Sequence, residues 1–458
     1  MGDPATVPAR VAPTLRGLLL LAWPIVVSRS SQVVIGIADA YMVAHLGEAA
    51  LAATTAGAMN TFTLFILPLG VVFIVSSFSS QLLGSGDLAG ARRYGFYGLL
   101  VAAATQLVGV AGIPFVEPAL ERLAFAPDVR ELLAGYLVIR LWSGGAAIGM
   151  EALANYYGGL GNTRLPMLAS VAAMVLNVLG NWLLIDGHLG APAMGVRGAA
   201  IASALSTGVA FAGLLAVFLL ERRPAGGSWP RLRVAEFLRM LRFGIPSGLN
   251  WFFEFAAFMF FVNVVVAGLG TTALASLMAV IQLNSVAFMP AFALASAAAI
   301  LVGQAIGAGA KGEVPRLVRL GFAAAGSWQG LVGLLYLVAP RLLFAPFVGD
   351  GSTTGALLDV GAWMLAFSAA WQLFDAAAAV LAESLRAAGD TAFVLWARLG
   401  AGWLVFVPGS WITVRMCGGG DIAAVTWLVV YLGLLALLLL LRFRSGAWRR
   451  LVLVEPAP

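Results

Sequence analysis

Charge is what this sequence has least of. Asp, Glu, Lys and Arg make up 10% of its 458 residues, against about 25% in an ordinary soluble domain. A chain of this length with so few charges cannot cover a water-facing surface, so a soluble fold is excluded. Cysteine is nearly absent: Cys417 stands alone, and no internal disulfide can form. Two histidines, His45 and His188, rule out a histidine-rich metal site. There is no Gly-x-x-x-x-Gly-Lys-Ser/Thr loop, which removes intrinsic nucleotide-driven pumping. Neither a paired-Asp motif spaced for Mg²⁺ nor a His-Glu-x-x-His zinc helix is present. The chain is therefore expected not to be an enzyme and to use no cofactor.

What is present is apolar. Hydrophobic residues make up 61% of the chain, and mean hydropathy is +0.96. Lipid must be the solvent for most of it. Twelve apolar runs of about 20 residues or more follow one another, from 16–42 to 421–443, with the fourth over 133–157. Pro24, Pro68, Pro246 and Pro290 lie inside runs, where each removes a helix hydrogen bond and is expected to bend its helix. The first run continues to Val43 without a small-residue cleavage site, so it is expected as a retained helix. The longest polar break, beginning Glu221-Arg222-Arg223-Pro224, splits the chain nearly in half. These breaks predict a cytoplasmic tail at 1–14, a six-helix bundle at 15–221, a linker at 222–236, a second bundle at 237–443 and a tail at 444–458.

The net charge of +6 is read as a positive-inside bias, not as nucleic-acid affinity. Arg92, Arg93, Arg222, Arg223, Arg231, Arg233, Lys311, Arg316, Arg319, Arg444, Arg449 and Arg450 all fall on one side when the spans are counted off. That side is the cytoplasm, with both termini on it. The expected location is a bacterial-type inner membrane.

The two halves repeat in order. Ser80-Gln81-Leu82-Leu83-Gly84-Ser85-Gly86 matches Gly303-Gln304-Ala305-Ile306-Gly307-Ala308-Gly309. Leu46-Gly47 matches Leu269-Gly270, Gly161-Asn162-Thr163 matches Gly389-Asp390-Thr391, and Pro24 matches Pro246. Six spans per half make the repeats parallel. Parallel repeats predict a pseudo-twofold axis along the membrane normal, with a cavity between two bundles that rock for alternating access. The fold class is thus an all-α integral membrane protein of twelve transmembrane helices in two six-helix bundles.

Acids inside the runs are the candidates for function. A charge at the bilayer centre costs roughly 2.5–3.5 kcal/mol on insertion scales. Asp39, Glu254 and Asp375 lie deep in the first, seventh and tenth runs. Counted from Pro24 and Pro246, Asp39 falls opposite Phe261 or Val262, so the halves have diverged where charge is held. Burial disfavours the ionised form of a carboxylate. Two such groups facing one cavity repel, and a proton, a Na⁺ or a cationic substrate relieves the repulsion. Competition among these ligands is a minimal antiport mechanism. Asn250 and Trp251 share a helix face with Glu254, and Trp371 and Gln372 share one with Asp375. Asn250 and Gln372 are candidate oxygen ligands for Na⁺ beside Glu254 and Asp375, and the tryptophans for an organic cation. Glu151 is a fourth intramembrane acid. It is expected on one helix with Arg140, about 16 Å away, and either takes part in coupling or pairs across helices. Asn177 and Asn181, one turn apart, read as interhelical packing.

Several stretches resemble the MATE (multidrug and toxic compound extrusion) family, NorM-like branch. They are Leu21-Ala22-Trp23-Pro24-Ile25 with Ile37 to Gly47, Gly161 to Met167, Leu176 to Asn181, Gly195 to Ala200, and Asp375 followed by Leu385-Arg386. The likeness extends along essentially the whole chain. One departure is the loop Gly389-Asp390-Thr391, which lacks the Arg and Pro that follow Thr163. The resemblance implies a secondary antiporter that exports cationic drugs or toxins against Na⁺ or H⁺, acting as a monomer in membrane lipid. It implies ion coupling at Asp39, Glu254 and Asp375, and makes Asn177 part of a first-half site near Asp39. A lipid-linked oligosaccharide flippase of the same superfold remains an alternative; its cavity is expected to be basic, whereas the deep residues here are acidic. A membrane-embedded transferase is a third reading, for which the short loops offer little.

Overall fold

The computed structural model describes residues 11–221, 231–347 and 354–455. Residues 222–230 of the expected linker therefore lie outside the described residues, as do 1–10 and 456–458 of the expected tails. Among the described residues every regular element is helical. The first half holds α1 (Leu15–Val43), α2 (Glu48–Ser85), α3 (Leu88–Gly112), α4 (Pro127–Trp142), α5 (Gly144–Gly159), α6 (Arg164–Ile185) and α7 (Gly195–Leu220). The second holds α8 (Val234–Phe260), α9 (Thr271–Gly307), α10 (Val314–Val338), α11 (Thr354–Ala387), α12 (Thr391–Leu399) and α13 (Asp421–Arg444). α8 runs on through a π-helical turn, Phe261–Val266, and α12 through another, Gly400–Phe406. Among the described residues eleven helices are long and apolar enough to cross a bilayer, or twelve with the bent pair α4 and α5 as one span. The twelve runs and the all-α class expected from the sequence are therefore present.

α4 and α5 replace the single helix expected over 133–157. The span bends by 48° at Ser143-Gly144-Gly145, a sequence with little preference for helix. The broken backbone finds a partner in Gln106 of α3. Its Oε1 accepts from the Gly145 amide at 2.9 Å, and its Nε2 donates to the Leu141 carbonyl at 3.4 Å. Arg140 and Glu151 consequently sit on different helices.

The repeat extends to the backbone. Gly47 and Gly270 have φ of 110° and 108°, and Gly161 and Gly389 have φ of 81° and 88°. Residues with a Cβ rarely adopt such angles, so both halves keep glycine at the same two corners. α2 and α9 are 38 and 37 residues long, about 56 Å at 1.5 Å per residue. That exceeds a hydrocarbon core of about 30 Å, so both must tilt or protrude.

The chain divides into two compact units. One contains Pro24–Gly248; the other contains Leu249–Pro458 together with Val11–Trp23. The divisions fall inside α1 and α8, next to Pro24 and Pro246. In the first unit α6 and α7 lie side by side. Small residues allow this: a Cβ at Gly180 would stand 2.9 Å from the Ala202 methyl. Such an approach brings the short side chains of both helices within hydrogen-bonding range. In the second unit α9 packs on α10 and α11, and a Cβ at Gly321 of α10 would meet Ala298 of α9 at 2.6 Å.

Candidate cation sites

The first site is built on Asp39, near the end of α1. Its side chain is buried, at 6% exposure, and its hydrogen-bond partners are neutral. Oδ1 accepts from Asn177 Nδ2 at 3.1 Å and from Asn181 Nδ2 at 2.6 Å. Oδ2 accepts from Ser203 Oγ at 2.8 Å. Asn177 Nδ2 also donates to Ser203 Oγ at 2.9 Å. Asn177 and Asn181 come from α6, Ser203 from α7, and the close α6–α7 approach joins them. Nearer the N-terminal ends of the same two helices, Ser28 of α1 bonds Ser170 of α6 at 2.7 Å. Residue numbers rise together along the two helices, so they run parallel, as first and fifth spans must. Asn181 Oδ1 is buried without a hydrogen-bond partner among the described residues. Asn177 and Asn181 present their NH₂ groups to the carboxylate, and Asn181 Nδ2 also donates to Asn177 Oδ1 at 3.4 Å. With both amides turned, the oxygens of Asp39, Asn177 and Asn181 make a donor set suited to a small hard cation. Asn181 acts on the carboxylate directly and is more than interhelical packing.

Glu151 lies elsewhere. Its carboxylate on α5 takes a bidentate pair from Arg29 of α1, with Nη2–Oε1 at 2.7 Å and Nη1–Oε2 at 3.3 Å. Asn155 Nδ2 adds a bond to Oε1 at 3.1 Å. The arginine also lies over the Phe73 ring, 5.4 Å from its centre. Of the two readings of Glu151, the structure contains the paired one, with Arg29 as the partner in place of the distant Arg140.

The second unit has no counterpart to Asp39. Phe261 and Val262 occupy that place and are buried in the apolar core around the π turn. Its acids are arranged differently. Glu254 on α8 is ion-paired with Arg398 at the end of α12, their side chains 35% and 13% exposed. Asp375 on α11 accepts from Gln329 Nε2 of α10 at 3.1 Å, and the charges of Glu254 and Arg398 both act on it. Gln329 is fully buried, and its Oε1 has no hydrogen-bond partner among the described residues. Asn250, one turn before Glu254, is also buried with an unpartnered Oδ1. Gln372 turns away from Asp375 and donates to Asn284 Oδ1 of α9 at 2.6 Å; Asn284 in turn bonds Ser368. Trp371 is packed into the apolar core, while Trp251 lies edge-on to Phe292, 5.8 Å between ring centres. Among the described residues no three His, Cys, Asp or Glu side chains cluster as a metal site.

Arg29, Arg398, Gln329 and Ser203 escaped the sequence reading. The two arginines were visible there as basic residues inside the first and eleventh apolar runs. A search confined to intramembrane acids passes over their counter-ions. Nothing in the sequence marks Gln329 or Ser203.

The MatE family model matches residues 24–183 and 246–412. The chain belongs to the MatE family. It is accordingly a multi-pass membrane transporter and not an enzyme. A protein of Chromobacterium violaceum named "Probable multidrug resistance protein NorM" is 30% identical over 97% of this chain and 96% of its own length. A protein of the same name from Pseudomonas putida is 29% identical over 96% of each. Among solved structures, a multidrug resistance MATE family transporter in an outward-facing conformation has a TM-score of 0.84 at 18% identity. It covers 98% of this chain and 100% of that one. A MOP superfamily transporter from Pyrococcus furiosus reaches 0.83 at 19% identity, with the same coverage. The two solved structures share its fold.

Proposed function

We propose that this MatE protein is a secondary multidrug efflux antiporter in a bacterial-type inner membrane, exporting cationic amphipathic compounds in exchange for Na⁺ or H⁺. The NorM name of its relatives and their near-complete coverage support export of drugs. The observation that carries ion coupling is Asp39, a carboxylate buried in a span and held only by neutral hydrogen-bond donors. Glu151 has its charge cancelled by an arginine. Asp39 has no such pair: the charge of Arg140 acts on it without a hydrogen bond, and its carboxylate stays open to a small cation. Three donors make it costly but feasible to leave that carboxylate ionised. Binding of H⁺ or Na⁺ removes the charge, and Asn177 and Asn181 supply additional oxygens for Na⁺ when their amides turn.

Asp375 and Glu254, with Arg398, form the second cation-responsive group. In this reading Na⁺, if it is the coupling ion, has Glu254 and Asp375 as ligands with Asn250 beside them. Trp251 and the aromatic residues near it supply apolar surface for an organic cation. The bundles 15–221 and 237–443 each contribute one site, and the arginine-rich breaks put both termini in the cytoplasm.

The test is efflux of a fluorescent cation from proteoliposomes with Na⁺ and pH gradients imposed separately. One gradient should drive transport and the other should not, and Asp39→Asn should weaken that dependence. Transport indifferent to both gradients sinks the antiport reading. Transport of a lipid-linked diphosphate sugar in place of cations favours the flippase.

A further inference from the structure

The second group differs from the first in carrying its own cation. Arginine stays protonated in proteins, so Arg398 is a fixed positive charge. Around it stand two carboxylates, Glu254 in direct contact and Asp375 within electrostatic reach. With both acids ionised the group therefore carries one net negative charge. Without Arg398 it would carry two. Next to these charges are two buried acceptors without partners among the described residues, Gln329 Oε1 and Asn250 Oδ1. Gln329 already donates its amide hydrogen to Asp375, so its free oxygen lies beside that carboxylate, where a bound cation would be. An acceptor left bare in a buried position is costly unless something positive faces it.

We propose that Arg398 is a built-in counter-ion that fixes the charge this group accepts at one positive unit per cycle, whether a proton, a Na⁺ or a monocationic drug. The proposal rests on the reading of the protein as a cation exporter and adds to it a rule of substrate charge. A dication would overfill a group of charge minus one; a monocation balances it. Arg398 is thus a specificity residue that acts through Glu254 and Asp375. Its position is prepared locally. It sits in the last turn of α12, immediately before the π segment Gly400–Phe406, and such segments often lie at functional sites. The contact between that segment and α8 does not depend on the ion pair. Trp403 Nε1 donates to the Phe253 carbonyl at 3.0 Å, and the Phe261 and Phe406 rings lie 4.9 Å apart. The arginine is therefore replaceable without loss of the helix contact.

The experiment compares two probes in proteoliposomes under one driving gradient: tetraphenylphosphonium, a monocation, and methyl viologen, a dication. The unsubstituted protein should favour the monocation. Arg398→Gln should move the ratio of dication to monocation transport up by about tenfold, the factor that one modest charge interaction is worth. Arg398→Lys keeps the charge and should keep the original ratio at a lower rate. Combining Arg398→Gln with Glu254→Gln returns the net charge to minus one and should restore the preference for the monocation. Glu254→Gln alone brings the net charge to zero and should lose transport of both, a result that stands even where Arg398→Gln fails to insert. An unchanged ratio in Arg398→Gln, or a lysine variant that behaves like the glutamine one, overturns the proposal while cation export survives. Failure of the unsubstituted protein to move either probe overturns the export reading and this proposal with it.

Discussion

Replacing Asp39 by Asn separates folding from coupling at the site where the structure is most explicit. The substitution keeps the shape and removes the charge. Asp39 accepts three hydrogen bonds. A bond to a charged group contributes about 1.5–3 kcal/mol and one between neutral groups about 0.5–1.5 kcal/mol. Losing the charge thus weakens the three by about 3–4 kcal/mol together. Against that, the folded state no longer keeps an ion out of water, which costs several kcal/mol. In the Asp39→Asn variant the new carboxamide oxygen still accepts from Asn177 and Asn181. Its NH₂ donates to Ser203, whose hydroxyl turns to accept. The two effects nearly cancel, so stability should change by no more than about 1–2 kcal/mol. Ion binding at this position should vanish altogether. Thermal unfolding in detergent reads the first quantity, and gradient-driven dye efflux in proteoliposomes reads the second. Ser203→Ala is the contrasting variant: the carboxylate stays, loses one donor, and should keep coupling with weakened stability. If Asp39→Asn transports with undiminished ion dependence, the reasoning about this site is wrong. It is equally wrong if Asp39→Asn collapses the fold while Ser203→Ala does not.

Other consequences are open to measurement. Arg29→Gln should strand Glu151 and lower stability by about 2 kcal/mol, and adding Glu151→Gln should recover most of the loss; thermal unfolding of the two variants decides it. Gln106→Leu leaves the Gly145 amide and the Leu141 carbonyl bare at the break between α4 and α5, and should cost about 1–3 kcal/mol in the same assay. Gly180→Val should force α6 from α7 at Ala202 and carry Asn177 away from Ser203. Ion-driven efflux should then fall further than the amount of inserted protein, measured by fluorescence-detected size exclusion. A fall in both to the same extent would show that the close approach serves folding alone.

The contrast between the two units explains why much was legible in the sequence and part was not. Hydropathy runs gave the spans because lipid selects apolar stretches locally, residue by residue. The fourth run failed as one helix because its break turns on Ser143-Gly144-Gly145 and on Gln106, which comes from another helix. Gly47 with Gly270, and Gly161 with Gly389, were readable as a repeat because a left-handed corner needs glycine wherever it occurs. Asp39 and Asn177 were found on the sequence; that Asn181 and Ser203 complete their site was not, since it depends on how closely α6 and α7 approach. Trp371 and Gln372 share a face with Asp375, yet one enters the core and the other bonds Asn284. Helical spacing fixes a face but not what that face meets.

By itself the sequence determined the solvent, the number of spans, the duplication and which carboxylates were dragged into the membrane, because each follows from composition or local geometry. Only the tertiary structure decided which of those carboxylates sit in direct contact with an arginine. Arg29 stands 122 positions from Glu151, and Arg398 is as remote from Glu254. Charge cancels through space, and no spacing along a chain records which distant guanidinium a folded helix will bring to an acid.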